Sequence, residues 1–445
     1  MHDLHRVNIK TGAMTKVLEN SMFVGFDLDD DFRVRLGAQM QPDGGQLLHK
    51  NVNWNTPGAD IKFEPWEKIG QEDALTSSPT SWSKDGGTLY MSDSRGRNTG
   101  ALFAVDMATS KKSLVAENPK ADTGGVVIHP QTKAIQAVGF NYLRNEWTVL
   151  DPALQKDLDY LKSISGGEIT IGSRSLDDQV WTVSFADDAA PTKSFIYDRV
   201  NKKATFVFTN FSALEGQSLA TMHPLVIKSR DGLDLVSYLT LPVGSYKEAT
   251  GSTPRPNAPL PMILVVHGGP WARDAWGYNA LHQWLANRGY AVLSVNFRGS
   301  TGFGKDFINA GNREWAGKMH DDLIDAVNWA VEHKVADKAK VAIMGGSYGG
   351  YATLVGLTFT PDVFACGVDI VGPSNIITLL NTIPPYWAPI ISQFTARIGD
   401  HRTEDGRKFL ESRSPLNFVD RISKPLLIGQ GANDPRVNKA ESEQI

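Results

Sequence analysis

Val341-Ala342-Ile343-Met344-Gly345-Gly346-Ser347-Tyr348-Gly349-Gly350-Tyr351 decides how the second half of this chain is read. Its first four residues are apolar and predict a buried strand. The next six predict a sharp turn, and residues 351–357 predict a helix start. Within the turn lies G-x-S-x-G, formed by Gly345, Ser347 and Gly349. In a nucleophile elbow the serine sits on a strained strand-to-helix turn with its hydroxyl exposed above the sheet. Such a backbone tolerates almost no side chain beside it, so glycines flank the serine. The helix behind it supplies amide donors and a positive dipole end suited to an oxyanion. The alternative is a Gly-rich corner whose serine merely caps the helix. The preceding strand, the following helix and a third small residue at Gly350 favour the nucleophile.

Working outward, strands and helices alternate from residue 262 onward. Strands are expected at 262–266, 291–297, 341–344, 365–370 and 425–430. Helices are expected at 275–287, closed by Gly289, and at 321–334, with Leu323, Ala326, Val327 and Ala330 on the apolar face. A hairpin with an Arg230-Asp231-Gly232 turn and a Pro/Ser/Thr-rich loop over 251–261 precede them. Alternation of this kind predicts a mostly parallel sheet flanked by helices, with catalytic groups at the carboxyl ends of the strands.

The first half follows another grammar, with no convincing helical period. Residues 32–40, 82–92, 126–138 and 175–184 each read as a turn followed by a short alternating strand. Their recurrence at about 45–50 residues is the size of a four-stranded blade and predicts a β-propeller, with an irregular β-sandwich as the alternative. About four blades are legible. Residues 1–20 read as the outer hairpin of a further, incomplete one, so the chain is expected to begin inside a larger propeller. The expected division is 1–218 for the partial propeller and 219–445 for the catalytic domain.

Composition narrows the function classes. The 445 residues are 41% hydrophobic and 21% charged, with a net charge of −4. That balance gives no reason to expect a nucleic-acid partner. No apolar run reaches the ~20 residues of a membrane helix. The opening residues have no apolar segment of a signal peptide, and the compartment stays open. The single cysteine, Cys366, lies in an apolar run and reads as a core residue. No H-E-x-x-H or paired-cysteine pattern supports a metal, and no cofactor is expected. Gly299-Ser300-Thr301-Gly302-Phe303-Gly304-Lys305 imitates a phosphate loop, but Asp306 follows where a hydroxyl should hold magnesium.

A serine hydroxyl needs a base, an orienting acid and an oxyanion site. The strand at 262–266 runs into His267-Gly268-Gly269-Pro270, a turn able to aim a backbone amide at the reaction centre. Gly269 is the expected first oxyanion donor and the amide of Tyr348 the second. His267 is read as holding this turn rather than as the base. The acid should follow the serine at the end of a later strand. Asp434, in Gly431-Ala432-Asn433-Asp434-Pro435, is the candidate, with a cap for a helix opening near Asn438 as the alternative. No histidine occurs in residues 435–445. His401 precedes Asp434, and His320 and His333 flank a helix where they are expected to be solvated. The catalytic histidine is therefore expected outside this chain, and the hydrolase domain is expected to lack its C-terminal end.

These segments together resemble the prolyl oligopeptidase family of serine peptidases, especially its acylaminoacyl-peptidase and dipeptidyl-peptidase-like bacterial branch. The matching stretches are 267–270, Asn296-Phe297-Arg298-Gly299 through Gly304, 345–351, and 431–437 running into Ala440-Glu441-Ser442-Glu443-Gln444. The resemblance implies an α/β-hydrolase domain behind a propeller that limits access to small peptides. It implies Ser347 as nucleophile, Asp434 as triad acid, and Gly269 and Tyr348 as oxyanion donors. Some members use a tyrosine side chain as first donor; His267 stands at that place here, which favours a backbone amide. The family places its histidine a few tens of residues beyond the acid. Peptidase action on short peptides is the expected activity, with an esterase or a non-catalytic propeller binding protein as alternatives. Tyr351, Tyr386 and Trp387 are candidates for a specificity pocket, with core packing the equal alternative.

Overall fold

The computed structural model describes residues 1–445 except residue 57 and residues 247–253. The loop expected over 251–261 falls in part on these and to that extent lies outside the described residues. Each turn-plus-strand segment of the first half becomes the second strand of an antiparallel sheet: Val34–Met40, Thr88–Asp93, Ile135–Asn141 and Val180–Ala186. Three of these sheets have four strands and the third has three. Leu4–Val7 and Met14–Leu18 pair as a separate hairpin. Successive sheets pack face to face through shared apolar clusters. Leu36 and Leu48 meet Leu89 and Met91. Leu102 and Ala116 meet Val138 and Phe140. Val127 and Ala137 meet Trp181 and Phe185. Face-to-face packing of sequential four-stranded sheets is propeller architecture.

One element of this half contradicts the expectation of an all-strand region. Helix α1 (Pro152–Ile164) follows the three-stranded sheet. Asp151 caps it by accepting the amide of Ala153, and Pro152 stands in its first turn. Leu154, Leu158 and Leu161 bury one face against Trp181 and its neighbours. The spacing of these leucines is helical, but it is a narrow stripe among polar residues and short strands.

The second half forms a seven-stranded sheet. In chain order its strands are β1 (Met222–Lys228), β2 (Asp234–Thr240), β3 (Leu260–Val266), β4 (Ala291–Val295), β5 (Ala336–Gly346), β6 (Cys366–Ile370) and β7 (Leu426–Gly429). They lie in the order 1-2-4-3-5-6-7. The β1–β2 and β2–β4 pairs are antiparallel and the rest parallel. The carboxyl ends of β3, β5, β6 and β7 thus share one edge, where the crevice of such a sheet lies. The chain is therefore an α/β-hydrolase domain preceded by the sheets of a β-propeller.

Helix α2 (Ala280–Ala286) is shorter than the expected 275–287. Asn279 caps it by accepting two amides, and Gly277 has φ +139°, which no helix tolerates. Helix α3 (Lys318–Glu332) begins three residues early and buries the expected apolar face together with His320. His320 is not solvated: its Nε2 lies 2.9 Å from Thr360 Oγ1, and burial lowers its pKa to about 4. Helix α4 (Tyr348–Phe359) starts directly after Ser347. Cys366 is half-buried in β6. Among the described residues no helix is long and apolar enough to cross a membrane.

The phosphate-loop lookalike joins the two halves. Lys305 pairs with Asp73 of the propeller at 2.8 Å, and the Gly304 amide donates to Asp122 at 3.1 Å. Arg273 donates to the carbonyl of Tyr142 at 2.9 Å. Arg298, from the same loop, is buried in a second network. It donates to Asp322 on α3 at 2.7 and 2.8 Å and to Asp231 in the β1–β2 turn at 2.7 and 2.9 Å. Asp322 is fully buried, and desolvation raises its pKa even beside the guanidinium. Removing one partner of such a pair leaves a buried charge uncompensated. Arg298→Met is expected to destabilise the protein by about 3–5 kcal/mol, read as a lowered urea midpoint with unchanged slope.

Candidate active site

Ser347 leaves β5 with φ 57° and ψ −118°, a conformation costly for a residue with a side chain. The strain is held from both sides. The Ser347 amide donates to the carbonyl of Ile370 on β6 at 2.9 Å, and its carbonyl accepts the amide of Tyr351 at 3.0 Å. The flanking glycines are required by close approach. A Cβ at Gly345 would lie 2.5 Å from the carbonyl oxygen of Val266, and one at Gly349 only 2.0 Å from it. A Cβ at Gly350 would meet Asp369 Oδ1 at 2.3 Å. Helix α4 and strand β3 are thereby pressed together with the serine at their junction.

The turn after β3 abuts the serine. A Cβ at Gly268 would sit 3.4 Å from Ser347 Cβ and 3.9 Å from its Oγ. Gly269 follows with φ +125°. His267 holds this turn. Its Nδ1 donates to the carbonyl of Gly268 at 2.8 Å, and its Nε2 lies 2.9 Å from Ser300 Oγ, whose hydroxyl donates to the Phe297 carbonyl at 2.7 Å. Its ring stacks on Phe297, which stacks in turn on Tyr348. Both ring nitrogens are thus engaged away from Ser347.

A cavity of about 310 Å³ opens beside the serine. Gly269, Ser347 and Tyr348 line it, with Trp315, Leu379, Ile383, Trp387, Phe394 and Val437 forming apolar walls and Arg436 at one side. Its size is at the lower end for ligand pockets and suits one side chain better than a whole peptide. A larger cavity of about 490 Å³ lies over residues 144–169 of the propeller and holds none of the candidate residues.

The aromatic candidates separate. Trp387 lines the cavity, with the Arg436 guanidinium 5.3 Å from its ring centre. Tyr351 does not: it is fully buried, packs on Trp315 and Tyr348, and donates its hydroxyl to the carbonyl of Arg413 at 2.7 Å. On the inner face of α4 it is a core residue, the packing alternative of its two readings. Tyr386 is 46% exposed and touches Trp387 edge-on, outside the cavity lining. The Tyr348 ring is buried against Trp315 and Phe297, and burial raises its hydroxyl pKa. What Tyr348 offers the cavity chemically is its amide, the first of α4, which has no intrahelical acceptor.

Asp434 stands in the loop after β7. Its Oδ1 accepts the amides of Arg436 at 2.8 Å and Val437 at 3.0 Å. It closes this turn rather than capping helix α7 (Lys439–Gln444), whose cap position is Asn438. Oδ2 has no protein partner among the described residues. Arg436 and Val437, which it orders, are cavity residues. His401 lies in the 399–403 loop and does not line the cavity.

Sequence reasoning missed most of the wall. Leu379 belongs to helix α5 (Ile376–Asn381) and Phe394 to helix α6 (Ile391–Arg397). The signal was present as a cluster of apolar residues over 376–394, but no strand or helix period marked which of them face the serine.

Asp369, at the end of β6, is fully buried beside the elbow. Its Oδ1 accepts the Gly372 amide at 2.8 Å, while Oδ2 has no partner among the described residues. Burial raises its pKa from 3.8 to about 6. A raised carboxyl pKa favours the folded state at low pH, and that contribution is lost as pH rises from about 4 to 6. Asp369→Asn keeps the Gly372 bond and removes the ionisation. The variant is expected to gain about 2 kcal/mol relative to wild type between pH 4 and pH 7, measured by urea unfolding at each pH.

Comparison with known proteins agrees with this geometry. The profile of the Prolyl oligopeptidase family matches residues 276–445. Dipeptidyl aminopeptidase BIII of Pseudoxanthomonas mexicana is 53% identical over 445 residues, covering 100% of this chain and 63% of the relative. Dipeptidyl peptidase family member 6 of Caenorhabditis elegans is 40% identical over 462 residues, covering 100% of this chain and 62% of that protein. The chain thus spans less than two thirds of these relatives' length. Among solved structures, a puromycin-hydrolyzing peptidase of Mycobacterium tuberculosis superposes with a TM-score of 0.75 at 20% identity, over 98% of this chain and 65% of that one. A serine on a strained elbow, a glycine turn against it, an aspartate after the last strand and relatives of this kind lead to one assignment: the chain belongs to the prolyl oligopeptidase family of serine peptidases.

Proposed function

We propose that this protein hydrolyses short peptides through an acyl-enzyme on Ser347. The carrying observation is the single cavity shared by Ser347, Gly269 and Tyr348, with apolar walls beside the serine. In this reading Ser347 Oγ attacks the scissile carbonyl. The oxyanion that forms is met by the amides of Gly269 and Tyr348, donors already fixed by the two turns. The side chain preceding the scissile bond enters the cavity, whose tryptophans and Phe394 favour a large apolar group. Asp434, with Oδ2 open, orients the base through its other ring nitrogen. The names of the two relatives extend the proposal to release of dipeptides from peptide N-termini.

Residues 1–445 do not supply that base. Among the described residues no histidine lines the cavity, and His267 is engaged at both nitrogens. In this reading residues 1–445 alone are expected to be inactive as a peptidase.

Ser347→Ala in the natural-length protein is expected to abolish hydrolysis of chromogenic dipeptide substrates without changing the circular dichroism spectrum. Asp434→Asn is expected to lower kcat by about 10⁴, through loss of the base's tautomer and orientation. Near-normal turnover in either variant would remove that residue from the mechanism. A matched ester substrate, cleaved where the peptide is not, would favour an esterase instead. Residues 1–445 expressed alone are expected to show at most the residual acceleration of an oxyanion site, about 10³–10⁴ over water. Full turnover by that fragment would mean that another residue acts as base.

A further inference from the structure

Helix α6 connects the propeller to the cavity. On one side its residues press on the propeller: a Cβ at Gly44, in a turn of the first four-stranded sheet, would lie 3.2 Å from Ala396 Cβ and from the carbonyl oxygen of Ser392. On the other side Phe394 forms part of the cavity wall. Its ring meets Trp271 edge-on at 5.4 Å and stacks on Trp387 at 5.8 Å. Trp271 directly follows the Gly269-Pro270 turn, and Trp387 lines the cavity.

The helix ends at Arg397, which is 1% exposed. Its Nη2 donates to the carbonyl of Gln71 in the propeller at 2.6 Å. Its Nη1 donates to Asn309 Oδ1 at 2.9 Å and Asn312 Oδ1 at 3.0 Å, both in the hydrolase domain. Asn309 itself reaches the carbonyl of Glu72 at 2.9 Å. Among the described residues no carboxylate pairs with Arg397, and its Nε has no acceptor. Burial lowers its pKa to about 10, so it stays charged at neutral pH. A buried cation held by neutral oxygens alone is costly. An apolar residue would fill the same volume more cheaply but could not fasten three acceptors from two domains. A planar guanidinium can, because its donors point in fixed directions.

We propose that Arg397 is the positioning residue through which the propeller sets the cavity wall beside Ser347, and with it the preference for a large apolar side chain. The guanidinium fastens the end of α6 to Gln71 and to Asn309 and Asn312. The helix then holds Phe394 against Trp271 and Trp387. The substrate arm of the test rests on the peptidase reading; the exchange arm does not.

The test uses the natural-length protein with paired peptides carrying phenylalanine or alanine before the scissile bond. Arg397→Met is expected to lower the phenylalanine-to-alanine ratio of kcat/KM by about tenfold, mainly through KM for the phenylalanine peptide. Labelling of Ser347 by a small fluorophosphonate should stay within about twofold of wild type, since the elbow is untouched. Amide exchange over residues 384–396 should accelerate by about tenfold, while residues 341–359 are unchanged. Arg397→Lys should recover part of the ratio. Asn309→Ala, which removes one acceptor, should shift ratio and exchange in the same direction by less, and it decides the matter if Arg397→Met does not fold. Equal losses on both peptides together with slower labelling would mean a global structural role and overturn the proposal. An unchanged ratio and unchanged exchange would overturn it as well. If wild type cleaves neither peptide, the peptidase reading fails, and exchange over 384–396 still decides whether Arg397 holds this wall.

Discussion

The closeness of helix α4 to strand β3 is the constraint on which the rest of the site depends. The carbonyl of Val266 leaves no room for a side chain at Gly345 or Gly349. That contact forces the strand-to-helix turn to be tight, and the tight turn holds Ser347 in its strained conformation. Strain of this kind persists only where the surroundings over-determine it. Here they do so through the Ile370 carbonyl, the packed start of α4 and the 267–270 turn. The same closeness brings the Gly269 turn against the serine and places the first amide of α4 beside it. The strained serine, the glycine turn and the first helix amide therefore come from one packing decision.

Around that centre, buried cations do the joining. Arg298 ties the end of β4 to α3 and to the β1–β2 turn, with two carboxylates balancing its charge. Lys305 ties the following loop to the propeller through Asp73. Arg397 differs from both, because neutral oxygens alone receive it. The contrast separates ties that add stability from one whose value lies in where it holds a helix. It also explains why a loop with the outline of a phosphate site has another occupation: its lysine and amide meet propeller carboxylates.

Much of the architecture was legible from local patterns. The β5–Ser347–α4 corner was readable because each glycine answers a backbone contact that any such turn must make. The parallel strands were readable as apolar runs, and the propeller strands as repeated turns with alternation. Helix α1 was missed because its leucine stripe is narrow and its surroundings are strands. Helix α2 starts later than expected because Gly277 takes φ +139° and Asn279 caps the first turn. Tyr351 looked like a pocket aromatic because it adjoins the serine in sequence. Its ring is buried instead against Trp315 and Tyr348, in the core. His320 looked solvated at a helix end, but it is buried, with Thr360 at the end of α4 against its ring.

The sequence by itself determined the local pattern: a serine in a turn that only glycines permit, and an aspartate after a later apolar strand. Those are properties of neighbouring residues along the chain, where sterics act over a few bonds. The tertiary structure alone decided which side chains surround the serine. Trp315, Leu379, Phe394 and Val437 come from four separate segments. They meet because helices crossing the sheet edge fold back over the serine, and because α6 is held between hydrolase domain and propeller. Packing between distant segments depends on shape and volume, which leave no period in the chain, so the elbow could be read in advance and the cavity could not.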